Sequence, residues 1–218
     1  MALLSWSGGK DSSLALYEVS KSGPYRISSL LTTVTRDFDR ISMHGVRRRL
    51  LVEQARALRL PLIEVWIAKD AGNAEYEEQM TRALVKSHRE GVRHVIFGDL
   101  FLEDVRRYRE EALSRVNLAC AFPLWHRDTK KLAAYFVNQG FKAIVCAVDP
   151  KALDSSFCGR EFDEAFLNDL PDSVDPCGEN GEFHTFVYAG PIFDSEIRVK
   201  KGDVILRDGY YFADIIPA

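Results

Sequence analysis

Ser7-Gly8-Gly9-Lys10-Asp11-Ser12 gathers in one short run the groups that hold an anion: a glycine pair, an ammonium and two hydroxyls. The glycines let the backbone turn tightly where side chains would block a bound group. An apolar stretch, Ala2-Leu3-Leu4-Ser5-Trp6, precedes the run, and a helix-like one, Ser13 to Glu18, follows it. Amides opening that helix would point at the same spot, where the helix dipole favours negative charge. Lys10 adds a point charge, and Ser7 and Ser12 add donors. A phosphate cradle at a strand-to-helix junction is the expectation, with neither the GxxxxGK[ST] nor the GxGxxG spacing. The plain alternative is a Gly-Gly turn with a polar helix cap, because Asp and Ser are ordinary cap residues.

A second cluster runs from Asp175 through Pro176, Cys177, Gly178, Glu179, Asn180, Gly181, Glu182, Phe183 and His184 to Thr185. Carboxylates, a thiol, an amide, an imidazole and a hydroxyl crowd a loop shaped by glycine and proline, which leads straight into an apolar strand. A solvated turn would account for Asn-Gly and Asp-Pro. It would not require a cysteine among the charges.

The elements that must position these segments alternate. Strand-like runs are Ala2–Trp6, Ser28–Val34, Leu62–Ile67, His94–Phe97 and Lys142–Val148, several of them continuously apolar as in a parallel sheet covered on both faces. Helical patterns lie between them. Leu50, Leu51, Gln54 and Leu58 share one face of a helix from about Val46 to Leu58, and Tyr76, Met80, Ala83 and Leu84 do so from Glu75 to His88. Asp128 reads as the N-cap of a helix ending at Gly140. This is an α/β pattern with a doubly wound, mainly parallel sheet over residues 1–149. Residues 150–218 read as a smaller, partly antiparallel portion carrying the second cluster. A helix is expected around Arg160–Leu167, and hairpin turns at Lys201-Gly202-Asp203 and Asp208-Gly209.

The chain has 218 residues, 46% hydrophobic and 28% charged, with a net charge of −3. That balance suits a globular protein and gives no overall basic surface for nucleic acid. No apolar run approaches the roughly 20 residues needed to cross a bilayer. The first strand starts at residue 2, leaving no room for a leader peptide. Cys120, Cys146, Cys158 and Cys177 lack CxxC spacing, so neither a zinc site nor a disulfide framework is expected, and a cytoplasmic setting fits.

SGGKDS is similar to the loop of the PP-loop ATP pyrophosphatases, which hold the β,γ-phosphates of ATP while a substrate attacks the α-phosphate. Together with Gly178-Glu179-Asn180-Gly181-Glu182-Phe183-His184-Thr185, it resembles the diphthine–ammonia ligase family, a branch of that superfamily. Phe97-Gly98-Asp99, Pro123-Leu124-Trp125 and Asp149-Pro150 are similar to the same pattern, so the resemblance spans nearly the whole chain. It implies an adenine nucleotide alpha hydrolase-like fold, with ATP and Mg²⁺ as cofactors. It also implies a ligase that activates a carboxylate as an adenylate, releases AMP and pyrophosphate, and amidates the carboxylate with ammonium or an ammonia donor. Ser42-Met43-His44-Gly45-Val46-Arg47-Arg48-Arg49 resembles the bacterial subgroup rather than the archaeal and eukaryotic relatives. Bacteria generally lack diphthamide, so the ATP chemistry carries over while the carboxylate, a small molecule or a modified protein residue, stays open. Modification of a tRNA base and nucleotide sensing without turnover are the competing readings.

On this resemblance Ser7, Gly8, Gly9, Lys10, Asp11 and Ser12 hold the triphosphate, and backbone at Thr32 and Thr33 meets adenine. Asp11 and Asp99 are candidates for the metal, Asp99 also for the ribose, although either could equally cap a helix or turn. Lys10, Glu179, Glu182 and His184 are the catalytic candidates: ammonium must lose a proton before it attacks, with Glu182 or His184 as the expected base and Glu179 and Asn180 positioning the ammonium by charge and hydrogen bonding. His44, Arg47, Cys177, Gly178, Asn180 and Thr185 are assigned to the substrate side. Cys177 stands either as a nucleophile or as packing. Arg48 and Arg49 read as a solvated helix face, and Arg106 and Arg107 as i,i+4 partners of nearby acids. A homodimer is left open.

Overall fold

The computed structural model describes residues 1–41, 45–69 and 71–218. His44, a candidate substrate residue, lies outside them. The chain runs β1 (Ala2–Ser5), α1 (Lys10–Ser22), β2 (Ile27–Thr35), β3 (Arg40–Ile41), α2 (Arg48–Ala57), β4 (Leu62–Ile67), α3 (Asn73–Arg89), β5 (His94–Ile96), α4 (Glu103–Ser114), β6 (Ala119–Ala121) and α5 (Thr129–Asn138). After these come β7 (Lys142–Val148), α6 (Glu164–Asp169), β8 (Phe183–Ala189), β9 (Val199–Arg207) and β10 (Tyr210–Pro217).

β1 pairs in parallel with β2 on one side and β5 on the other, β4 flanks β2, and β6 flanks β5. Short antiparallel β3 meets the far end of β2 at Val34 and Thr35, beyond the reach of β1. Strand side chains alternate between faces, so neighbours in sequence enter different cores. Leu4, Leu30 and Ile96 pack with Leu14 of α1, Leu50 of α2 and Phe136 of α5. Leu3, Leu31 and Val95 pack with Leu84 of α3 and Leu113 of α4. The sheet is therefore covered by helices on both sides, the doubly wound arrangement expected from the continuous apolar runs.

A second sheet, antiparallel and ordered β8-β7-β10-β9, follows. β7, read from sequence as a strand of the parallel sheet, belongs to this one: it pairs with β8 and β10. Its interior residues are buried on both faces, so the apolar run alone could not say which sheet it joins. Asp208 and Gly209 form the β9–β10 turn, both with positive φ (50° and 85°), as a two-residue hairpin requires. Lys201-Gly202-Asp203 is not a turn. The β9 strand runs through it with a bulge opposite Asp214, where a Cβ on Gly202 would sit 2.7 Å from Ile216 Cδ1.

Asp128 caps α5 by accepting from the Lys131 amide at 2.9 Å, and Gly140 (φ 81°) follows its end. The helix expected at Arg160–Leu167 forms as Glu164–Asp169, capped by Asp163. All four cysteines are free thiols. No helix among the described residues is long and apolar enough to cross a membrane.

Candidate active site

The loop from Ser7 to Gly9 links β1 to α1 and lies against β8. Gly8 has φ 78°, and a Cβ there would meet Gln54 Oε1 at 2.7 Å, so both conformation and space demand glycine. Gln54 is fully buried on the apolar face of α2. Its amide donates to the Gly8 carbonyl at 3.0 Å and to the Val187 carbonyl at 2.6 Å, and accepts from Trp6 Nε1 at 2.9 Å. One side chain thus joins the loop, Trp6 just before it and β8.

Gly9 is the N-cap position of α1 and offers no side-chain cap of its own, so the amides of the first turn have no intrahelical partner. Ser12 and Ser13 donate back to the Gly9 carbonyl at 2.9 and 3.0 Å, and Ser7 Oγ lies 3.3 Å from both Ser12 Oγ and the Gly9 amide. Gly98, just past β5, packs flat on the first turn of α1, where a Cβ would lie 2.7 Å from the Asp11 carbonyl carbon.

The two sequence motifs meet. The Lys10 amide donates to Thr185 Oγ1 at 3.0 Å, and Lys10 Nζ donates to the Cys177 carbonyl across 167 positions of chain. Lys10 Nζ also lies 2.8 Å from both oxygens of Asp11. Burial works against its charge, but Asp11, with Cys177 and Glu179, more than offsets it and raises the pKa of the ammonium. Burial likewise pushes the Asp11 carboxyl up, with Lys10 opposing.

In the second motif Asp175 Oδ1 accepts from the Cys177 amide at 2.9 Å and the Glu179 amide at 3.3 Å, which curls the loop. Glu182 accepts from the amides of Asp175 (3.0 Å) and Asn180 (2.9 Å) and from Asn180 Nδ2 (3.0 Å). Burial disfavours its charge, yet these donors hold its pKa below the ordinary value. Glu179 reaches the other way and accepts from the Leu100 amide at 2.8 Å. Burial pushes its pKa up to about 7; that amide lowers it, and Asp11 and Asp99 add repulsion. Burial and Lys10 depress His184 to about 4, so its imidazole is neutral at ordinary pH. Burial raises the Cys177 thiol to about 12, and its Sγ lies 3.3 Å from the Thr129 carbonyl.

A cleft of about 390 Å³ opens onto Ser7, Lys10, Asp11, Ser12, Asp99, Cys177, Gly178, Glu179, His184 and Thr185. A second cavity of about 280 Å³ adjoins it through shared Ser5, Ser7, Phe97 and Arg109, and is lined by Thr32 and Thr33 with apolar residues of α3 and α4. Glu182 and Asn180 stand behind the cleft wall, joined to each other. Arg47 lines neither cavity: its guanidinium is bidentate on Asp214 at 3.0 and 2.6 Å. Arg48 pairs with Glu64 and Arg49 with Glu53, and Arg106 forms the i,i+4 pair with Glu110.

Gln54 and Arg109 were missed as site residues. A glutamine amid leucines on one helix face was the available signal for Gln54, since a buried amide must find partners. Arg109 had none, sitting among alternating charges of α4. Its Nη2 donates to Asp99 Oδ1 at 3.0 Å, and its guanidinium lies 4.3 Å from the Phe97 ring. Arg109 Nε and Asp99 Oδ2 are 2.6 Å apart, yet both are buried without a well-aligned hydrogen bond.

The chain matches the model of the diphthamide synthase N-terminal domain over residues 1–119 and that of the C-terminal domain over residues 128–215. The diphthine–ammonia ligase of Bos taurus is 31% identical over 120 residues, 52% of this chain and 45% of the relative. Its Homo sapiens counterpart is 30% identical over the same lengths. The diphthine–ammonia ligase of Schizosaccharomyces pombe is 24% identical over 218 residues, 91% of this chain but 36% of the relative. The chain thus spans less than half the length of these relatives. With both domains matched in order around a shared cleft, the chain belongs to the diphthamide synthase family.

Proposed function

We propose that this chain is an ATP-dependent ligase that adenylates a carboxylate and then amidates it with ammonia, releasing AMP and pyrophosphate. The observation that carries this reading is the contact of Lys10 with both Cys177 and Thr185, which makes the anion-holding loop and the carboxylate-rich loop two walls of one cleft. The names of the diphthine–ammonia ligase relatives support the reaction class. The carboxylate is unassigned, because the Met43-His44-Gly45-Val46-Arg47 segment resembles the bacterial form.

The division of cavities suggests an orientation. Adenine would occupy the cavity beside Thr32 and Thr33, the triphosphate would lie over Ser7 to Ser12, and the seam at Ser7 and Arg109 would face the α-phosphate. Bound there, ATP supplies an AMP group that turns a basic carboxylate oxygen into a good leaving group. The loop amides and Lys10 would stabilise the departing pyrophosphate. Asp11 and Asp99 would hold magnesium, which neutralises phosphate charge. No group of three or more His, Cys, Asp or Glu side chains ready for a metal occurs among the described residues. Arg109, paired with Asp99 at the seam between the two cavities, would turn to the α-phosphate as Asp99 takes up the metal.

For the second half-reaction the proposed base is Glu179, in place of the Glu182 or His184 expected from sequence. It lines the cleft and titrates near 7, close to the operating pH that favours proton transfer. Glu182 is committed to the loop's own donors, and neutral His184 is too weak a base for ammonium. Glu182 and Asn180 then position Glu179.

The test uses carboxylates labelled with oxygen-18, ammonium and ATP. Adenylation moves one labelled oxygen into AMP, with pyrophosphate and AMP formed in equal amounts. ATP binding without AMP under every carboxylate tried would favour a sensor, and AMP formation dependent on tRNA would favour base modification.

A further inference from the structure

The antiparallel sheet ends on β9, whose outer edge has no neighbouring strand among the described residues. Edge strands usually carry charges or proline that discourage pairing with another chain. Here Val204, Ile205 and Leu206 are 36%, 50% and 62% exposed, the longest exposed apolar run among the described residues. Charge bounds that run on both sides, Asp203 before it and Arg207 after it.

We infer that β9 pairs antiparallel with β9 of a second copy of this chain, joining two four-stranded sheets into one across a two-fold axis at Ile205. One feature selects that register and a second is compatible with it. First, Asp203-Val204-Ile205-Leu206-Arg207 is self-complementary in sequence: antiparallel pairing about Ile205 brings Asp203 of each copy, at the edge of the β9 bulge, toward Arg207 of the other, with apolar residues between. Opposite charges facing across strands stabilise a pair, and like charges destabilise it. Second, the hairpin geometry leaves the right backbone groups free. The two-residue Asp208-Gly209 turn makes Arg207 and Tyr210 the closing hydrogen-bonded pair. Alternation then points the N–H and C=O groups of Ile205 inward to Phe212, and those of Val204 and Leu206 outward. In the proposed register, Val204 of one copy exchanges both hydrogen bonds with Leu206 of the other. The two Ile205 residues form the closer, non-hydrogen-bonded pair.

Phe38 extends the surface. It is 39% exposed and lies against the Arg207 guanidinium, 5.1 Å from ring centre to Cζ, while Arg207 also covers Phe212 at 4.9 Å. Such an interface uses the same patch on both copies, as a closed two-fold dimer must. It would also brace the hairpin whose Tyr210 hydroxyl donates to the Gly181 carbonyl of the site loop at 3.2 Å.

Sedimentation equilibrium across protein concentrations, with Ile205→Lys and Ile205→Cys variants of the full chain, tests this. Wild type should sediment at twice 24.7 kDa. Ile205→Lys, which places two ammonium groups face to face on the axis of an exposed position, should raise the dimer dissociation constant at least about 100-fold. Its circular dichroism should stay unchanged. Ile205→Cys should form a symmetric disulfide on mild oxidation, because non-hydrogen-bonded pairs bring side chains closest. A monomeric wild type would overturn the inference, and so would a dimer indifferent to Ile205→Lys. A dimer whose Ile205→Cys form does not cross-link would overturn the register.

Discussion

Replacing Gln54 with leucine removes a hub and keeps the helix face apolar. The Gln54 amide makes three hydrogen bonds, to the Gly8 and Val187 carbonyls and from Trp6 Nε1. Gly8 keeps a partner, because the Val187 amide also donates to it at 2.9 Å. Trp6, about 1% exposed, has no water to turn to, so its indole N–H is stranded. Each buried group deprived of a partner costs about 1–3 kcal/mol. With the indole and the Val187 carbonyl both affected, Gln54→Leu should lose about 2–6 kcal/mol in urea unfolding. That is a large part of a typical domain's stability of about 5–15 kcal/mol. ATP affinity should fall with it, since the Gly8 carbonyl anchors the loop. Adding Trp6→Phe removes the stranded donor, so the double variant should lose less than the sum of the singles by about 1–2 kcal/mol. A loss below about 1 kcal/mol, with ATP affinity unchanged, would refute the role of this hub.

Three further outcomes follow from the site. Glu179→Gln should abolish a rise in amidation rate with an inflection near pH 7, seen with saturating ATP and ammonium, while adenylation survives; a wild-type profile flat through that region would exclude Glu179 as the base. Because its folded pKa is raised, Glu179 binds more protons folded than unfolded between about 4.5 and 7, so its contribution to stability falls as pH rises through that window and is absent from the Gln variant. Gly98→Ala drives a Cβ into the backbone of Asp11 and Ser12 and should cost about 1–3 kcal/mol while weakening nucleotide binding, measured by calorimetry. Cys177→Ala should keep turnover within several-fold, since a thiol titrating at about 12 supplies no thiolate; a hundredfold loss in a folded variant would identify a covalent nucleophile.

What could be read from sequence was local. The glycine pair, Lys10 and the following helix lie within one strand-turn-helix unit, and their roles depend on neighbours a few residues away. Strand and helix periods likewise placed Leu62–Ile67 and Lys142–Val148 at their observed bounds. The sheet that β7 joins was not legible, because burial on both faces gives the same apolar run in either sheet. Lys201-Gly202-Asp203 has the composition of a turn, and only pairing with β10 reveals a bulge. Within the site, Glu182 and Glu179 are three positions apart with similar sequence surroundings. Hydrogen bonds from Asn180 and Asp175 lower the pKa of one, and burial raises that of the other. Arg109 is separated by chain topology from the loop it neighbours, and no local pattern marks it.

The central claim is that the Ser7–Ser12 loop and the Cys177–Thr185 loop form one site around a single α-phosphate. A crystal structure with a non-hydrolysable ATP analogue and magnesium measures this directly. The adenine should lie beside Thr32 and Thr33, the terminal phosphates on the Ser7–Ser12 loop, and the α-phosphate at Arg109 facing Glu179. Phosphates bound elsewhere, or an α-phosphate turned away from Glu179 with the second loop out of reach, would contradict it.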